Sequence, residues 1–431
     1  MLIPKGLYAL DLGTTKYCLG SLHQSVSIAS HNQPAPSIEI IGVPALGMRR
    51  GMVADFQHAK QALNTLLDAA ERHFNDDVSR VLVGIAGSHL ESRLVKVSVE
   101  LPHGSVRDKD IEELAHKAEH DFARTAREIL HCVPIAYHID SRPRIENPVG
   151  CSGRLLLGDF FIIDADKAYL ADVVKLCNEC GLEVARLVSE PFASASVTVS
   201  ENAKELGMVL ADIGGGTTDG LVFQNGRPCA AFTVNIAGTL MTNDLAIGLN
   251  LPLEEAERVK VCFGLGSADG TTVLEATDTR GKRVTITAAQ VYPILAPRIR
   301  ELTVLIARNL SAFKGRLGAG IQLTGGGSEV LGIAPFMESL LKVPVTKARP
   351  TLDLAKLSVQ QIENSGFAQS RNSALAPQIQ RVPTVYAAKY ATVVGLLNLE
   401  VGRQAEIART KRPSWPGKYL AGFMNWLKEL S

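Results

Sequence analysis

Two runs of this chain carry the residue types that hold a polyphosphate. The first, LYALDLGTTK, covers Leu7 to Lys16; the second, GMVLADIGGGTTDGLVF, covers Gly207 to Phe223, about 200 residues later. Each reads as an apolar strand, an aspartate, a glycine turn with two threonines, and a second strand. Glycine lets backbone N–H groups approach an anion closely, because no Cβ stands in the way. Gly13 serves the first turn, and Gly214, Gly215 and Gly216 the second. Thr14, Thr15, Thr217 and Thr218 offer hydroxyl donors, and Lys16 a point charge. Asp11 and Asp212, at the strand ends, suit a Mg²⁺ that keeps its waters and is held by few carboxylates. The spacing predicts a diverged internal duplication with the ion between the two turns. A third turn, IQLTGGGSEVLGIAPFME from Ile321 to Glu338, follows an apolar strand and opens a helix. Its Gly325, Gly326 and Gly327, with Ser328 beside them, present bare backbone to a nucleobase or an α-phosphate.

The elements that must position these turns alternate apolar β-rich runs with helical periodicity, an α/β pattern. With 431 residues, 46% of them hydrophobic, the chain is long enough for two or more domains with their own cores. Lys and Arg number 45 against 44 Asp and Glu, so electrostatics give no case for a nucleic-acid partner. The seven cysteines are scattered. Their one close pair, Cys177 and Cys180, lacks the second pair or the histidines of a zinc site, which predicts reduced thiols in a cytosolic protein. His131 and His138 flank Cys132 with no carboxylate to complete a metal site, and read as core or edge-strand histidines. The opening MLIPKGLYALDLG is too short in its apolar run for a secretory signal, and no segment reaches the ~20 apolar residues of a spanning helix.

Together these turns resemble those of the actin-like (ribonuclease H-like) ATPase superfamily, in which two phosphate loops clamp ATP across an interdomain cleft. RLVSEPFASASV (Arg186 to Val197) and VYAAKYATVVGLL (Val385 to Leu397) resemble the two helices that cross between the halves. The resemblance puts Glu190 where relatives carry a water-positioning residue; it reads equally as a helix N-terminal acid. In EEAERVKVCFG, Glu257 and Lys260 match an acid and a base that reach the nucleotide sugar or base, or else form a plain i, i+3 surface pair.

Within that superfamily the segments Gly42 to Glu71, Arg80 to Ser92 and His131 to Ile163 resemble FtsA, the bacterial cell-division family, over about Tyr8 to Leu397. The resemblance implies subdomain 1A at 1–85 and 162–190, an inserted subdomain 1C at 86–161, subdomain 2A at 191–227 and 306–400, and subdomain 2B at 228–305. It implies that 1C contacts neighbouring subunits and later division proteins. It also implies that 2B takes the C-terminal tail of FtsZ, with Arg298, Arg300 and Glu301 near the matching position; an ordinary solvated helix face explains the same residues. LSVQQIENSGFAQSRNSALAPQIQRVPT, 357–384, reads as a long polar loop.

After a polar linker, 401–413, the last residues RPSWPGKYLAGFMNWLKELS hold the only two tryptophans. On a helical wheel Trp415, Tyr419, Phe423, Trp426, Leu427 and Leu430 fall on one face and Lys418, Asn425, Lys428 and Glu429 on the other. An aromatic face with basic flanks suits the headgroup boundary of an anionic membrane, and docking on the protein's own core is the rival reading. The expected whole is a polymerising, ATP- and Mg²⁺-binding adaptor with weak or absent hydrolysis. It would tether FtsZ filaments at the inner face of the cytoplasmic membrane, at the septum, and recruit later division proteins. A chaperone-like ATPase and an MreB-like shape filament are the alternatives.

Overall fold

The computed structural model describes residues 7–25, 35–266, 272–351, 378–381 and 386–410. The terminal helix 414–431, with its six apolar-face residues from Trp415 to Leu430, and most of the polar loop lie outside the described residues.

Two sheets repeat one plan. In the first, a hairpin of Leu7–Leu12 and Lys16–Ser25 is extended on one side by the parallel strands Arg80–Ile85 and Glu183–Ser189, and on the other by Ala35–Pro44. In the second, a hairpin of Met208–Ile213 and Thr218–Gln224 is extended by the parallel strands Ile321–Thr324 and Val345–Lys347, and by Arg227–Val234. The two hairpins close alike, Leu12 opposite Tyr17 and Ile213 opposite Thr218, each around four residues. The duplication read from the sequence is therefore structural.

Apolar residues at helical spacing decide what covers each face. Phe56–Phe74, capped by the Asp55 carboxylate on the His58 N–H at 3.1 Å, buries Ala59, Leu63, Leu66 and Ala70 against the first sheet beside the helix Lys167–Glu179. On the opposite face lie the two crossing helices, Glu190–Thr198 and Ala391–Thr410, whose Val197, Val393, Val394 and Leu397 pack with Ala9, Leu82 and Val188. They touch so closely that a Cβ on Gly395 would overlap the Ala193 backbone. The second sheet is covered on one face by Gly238–Leu249, Leu253–Phe263, Ala288–Asn309 and Ile333–Leu341. Thr287, a threonine with glutamine three residues on in the local pattern of a helix start, begins the third of these, its N–H donating to the Gln290 side chain at 3.0 Å.

The insertion forms its own three-stranded sheet, in spatial order Leu90–Glu100, Leu155–Asp166, Arg127–Ile139, with the helix Asp108–Asp121 on one face. Its other face does not look at solvent. Phe161, Ile163, Val133 and Ile135 share a core with Ala195, Met208, Leu221 and Phe223 of the second half.

Two expectations are revised. Residues 378–381, read as loop, pair with Glu39 to Gly42 and complete the first sheet as its sixth strand, which meets the hydrogen-bonding need of that edge. The chain after Leu397, read as a linker from 401, stays helical to Thr410; Glu400 anchors that turn, accepting from Arg403 (2.8 Å) and Gln404 (2.7 Å). Polarity alone did not distinguish a solvated helix from a tether.

Candidate functional site

The two hairpin turns meet at the junction of the halves. A Cβ placed on Gly215 would stand 2.5 Å from Cγ2 and 2.9 Å from Oγ1 of Thr15; one on Gly216 would overlap Thr14 Oγ1 and lie 3.0 Å from the backbone of Arg50. Glycine is thus required because two backbones and two threonines occupy the place of a side chain. The second turn is rigidly held: Gly214 N–H donates to Thr217 O at 2.9 Å, and its own and Gly215's carbonyls accept the first two N–H groups of the helix Gly238–Leu249 at 3.0 and 2.8 Å.

Around the turns the fold gathers acids. Asp11 and Asp212 end equivalent strands, and Glu190 opens the first crossing helix. Burial raises the pKa of Asp11 from its ordinary value, against the opposing charge of Lys16. Asp212 is pushed up to about 7 by burial, although Ser194 donates to it at 2.7 Å. Glu190 is raised well above its ordinary value by burial and then by the charges of Asp11, Asp219 and Asp212. So Glu190 is both a helix N-terminal acid and a member of this cluster. Among the described residues no three acids, histidines or cysteines converge tightly enough to ligate a bare ion. Asp11, Asp212 and Glu190 all feel the charge of Lys16, and acids so placed would hold a cation, where one is bound, only through its waters.

Lys16 donates to the Lys389 carbonyl and lies 4.3 Å from the Tyr390 ring centre, so the first turn is stitched to the short 3-10 turn that leads into the second crossing helix. In the second half, Lys260 donates to Glu257 at 2.6 Å, to Thr242 Oγ1 at 2.9 Å and to the Gly238 carbonyl at 3.3 Å. That places this acid and base beside the second turn: the ammonium is 3.6 Å from where a Gly238 Cβ would be, and the same Cβ is 3.9 Å from Gly215 Cα. The third turn closes the site. Gly325 has φ +80°, donates its N–H to Ala388 O at 3.2 Å, and leaves no room for a Cβ against Asp212 Oδ1; Gly327 packs on Ile213 and Gly326 faces Lys389.

The structure thus brings together Asp11, Gly13, Thr14, Thr15, Lys16, Glu190, Asp212, Gly214 to Gly216, Glu257, Lys260 and Gly325 to Gly327. Two hydroxyls expected as donors are spoken for, Thr217 donating to Asp219 (2.7 Å) and Thr218 to Ile236 O (2.7 Å), and Ser328 beside the third turn likewise donates to Gly325 O (2.7 Å). They brace the turns from behind, because each follows its glycines where the chain re-enters the core. Elsewhere, Arg298 forms a two-point ion pair with Asp244 (2.6 and 3.0 Å) and bonds Glu301 (2.5 Å), so both are engaged within the helix layer; Arg300 lies over the Phe336 ring at 5.7 Å.

Sequence reasoning missed Asp219, Ser194 and Lys389. The signal for Asp219 was present: a four-residue hairpin turn sets position i opposite i+7, so Asp212 pairs with Asp219 as Asp11 pairs with Cys18. Asp219 is buried and accepts from Thr233 (2.6 Å), Thr217 and the backbone of Gly87.

The family model "Cell division protein FtsA" matches residues 209–372, and "SHS2 domain inserted in FTSA" matches 87–164. The chain is 31% identical over 351 residues to the cell division protein FtsA of Neisseria meningitidis serogroup B, covering 79% of this chain and 83% of that one. Among solved structures, it superposes on one of a PilM–PilN type IV pilus biogenesis complex with TM-score 0.61 at 21% identity, over 92% of this chain and 98% of that one. Against MreB5 of Spiroplasma citri bound to AMPPNP the TM-score is 0.50 at 14% identity, over 94% and 98%. The fold is the actin-like one.

Proposed function

Because this chain belongs to the FtsA family of cell division proteins, we propose that it is a nucleotide-clamped, polymerising adaptor that fastens FtsZ filaments to the inner face of the cytoplasmic membrane at the septum and recruits later division proteins. The observation that carries this is the convergence of three glycine turns, Lys16, the Glu257–Lys260 pair and the buried acids on one junction between two duplicated halves. ATP or ADP would lie between the first two turns, with its base toward Gly325–Gly327 and Lys260. Bound there, Mg²⁺ would supply positive charge that offsets the acids and the phosphates. Asp11 and Asp212 would hold its waters, Ser194, which donates to the Asp212 carboxylate, would keep that acid in place, and Glu190 would orient a water. Committed hydroxyls and a tightly stitched cleft favour a structural clamp with slow turnover.

Attachment is assigned to the terminal helix 414–431 through Trp415, Tyr419, Phe423, Trp426, Leu427 and Leu430, with Lys418 and Lys428 drawn to anionic lipid. One short apolar face binds reversibly; in a filament each added helix acts at high effective concentration, so polymerisation strengthens adhesion. No helix among the described residues is long and apolar enough to cross a membrane. The FtsZ tail is assigned to the 228–305 region, with Arg300 the more available contact because Arg298 and Glu301 bind each other.

Co-sedimentation with anionic liposomes and FtsZ, with and without ATP, tests the reading. FtsZ should pellet with the liposomes only when this protein is present; recruitment that does not depend on it refutes the adaptor.

A further inference from the structure

Resting on the reading of the cleft as a nucleotide site, we propose that His131 is a positioning residue: it ties the inserted subdomain to the start of the helix that carries Glu190 and Ser194, and so couples the subdomain's orientation to occupancy of the cleft. His131 sits on the inserted strand Arg127–Ile139, where the register shifts between Ile129 and His131. Such a shift re-aims a side chain, here out of the insertion and into the first half. Its Nε2 accepts the Ser189 N–H at 3.0 Å, both residues are buried, and its ring stacks on Phe192 with centres 4.3 Å apart and planes 28° apart.

The bond has a defined task. Ser189 precedes the helix Glu190–Thr198, so its N–H is one of the three first-turn donors, Pro191 having none, that the helix itself cannot satisfy. Its own side chain makes no capping bond, and its hydroxyl is buried without a partner. The acceptor therefore comes from another subdomain. To accept at Nε2 the imidazole must be neutral with its proton on Nδ1, and burial favours that by pulling its pKa down. The helix held this way places Glu190 at its first position and Ser194 one turn later, and Ser194 in turn holds Asp212.

The insertion also grips the other half. Ser92 Oγ donates to Ala231 O at 3.1 Å and accepts its N–H at 2.8 Å, on the edge strand of the second sheet. Gly87, where the insertion begins, bonds Asp219 through its backbone, and its carbonyl accepts from Thr233 at 3.3 Å. One rigid sheet is thereby fastened to both sides of the cleft. A change in the angle between the halves cannot leave the His131 contact and these contacts all unaltered.

Hydrogen–deuterium exchange on the full chain, with and without Mg·ATP, together with ATP titration, tests this. In the wild type, ATP should slow exchange of peptides covering 127–139 and 186–192. His131→Phe keeps the ring stack and removes the acceptor. It should abolish the ATP-dependent protection of 127–139 and weaken ATP binding about tenfold, the scale of one orphaned buried donor. His131→Gln returns an acceptor and should restore both, which a purely space-filling role would not require. The proposal is overturned if wild type binds ATP while 127–139 is unprotected, or if the Phe variant matches wild type in affinity and protection. Should the Phe variant fail to fold, the wild-type exchange and the Gln variant decide. A wild type that binds no ATP refutes the nucleotide reading itself, and this proposal with it.

Discussion

Gly216→Ala adds one methyl group at the point where the second turn meets the first. That methyl would overlap Thr14 Oγ1 and stand 3.0 Å from both N and Cα of Arg50. Thr14 can rotate aside. Arg50 cannot retreat easily, because it holds a left-handed backbone (φ 52°) and is followed by Gly51, which has no room for even a Cβ against the Ala86 carbonyl. The two turns must therefore separate by roughly half an ångström, and overpacking of this kind costs about 1–3 kcal/mol. If a nucleotide draws both turns onto its phosphates, that cost falls on the closed state, and ATP binding should weaken roughly 5- to 150-fold by the ratio of ~1.4 kcal/mol per decade. Gly402→Ala is the matched control: nothing lies within 4 Å of its Cβ, and the site is helical, so stability should rise slightly and binding should not change. The assay is calorimetric titration of each variant with Mg·ATP, beside its melting temperature. ATP affinity within twofold of wild type in a folded Gly216→Ala would refute the clamp geometry.

Truncation after Pro413, or Trp426→Glu, should abolish sedimentation with anionic liposomes and leave ATP affinity intact; unchanged sedimentation would remove the terminal helix as the anchor. Glu119 and Glu128, buried in the inserted subdomain, are each raised to about 7, Glu119 by burial and then by the charge of Glu128, Glu128 by burial against Lys167. The folded state binds more protons than the unfolded one between about pH 4.5 and 7, so stability from this pair is greatest at the acid end of that window and is lost as pH rises through it. Glu119→Gln should raise the melting temperature at pH 8, by about 1–3 kcal/mol of stability, and flatten its fall from pH 5.5; an unaltered pH profile would contradict the burial argument. Gly395→Ala should destabilise by about 1–3 kcal/mol in denaturant titration, because its methyl would overlap the Ala193 backbone in the other crossing helix. A neutral or stabilising effect there would mean that the helices slide apart freely.

What was legible in the sequence follows from how local each signal is. The phosphate turns could be read because strand, aspartate and glycine are neighbours in the chain, and the chain's own duplication doubled the signal. Thr287 as a helix start needed only four residues, and the Glu257–Lys260 pair only one helical turn. What stayed hidden depends on partners far along the chain. Nothing near Ser194 announces that it holds Asp212, 18 positions on. Thr218 reads as a donor until Ile236, 18 positions away, takes its hydrogen. The strand Gln378–Arg381 is called loop by its composition, and only the open edge at Glu39 to Gly42 makes it a strand.

His131 shows the sharper form of this limit. By residue type and neighbours it reads as a core histidine, and by burial that is correct. Its acceptor nitrogen gains a meaning only when Ser189, 58 positions later, arrives as the unsatisfied start of a helix. The same sequence segment then carries two readings, core packing and inter-subdomain cap, and they differ in what a phenylalanine would do. Packing alone predicts that His131→Phe is nearly silent, since the Phe192 stack survives. The cap predicts a loss that glutamine repairs, because what must be replaced is a lone pair at a fixed place and not a volume.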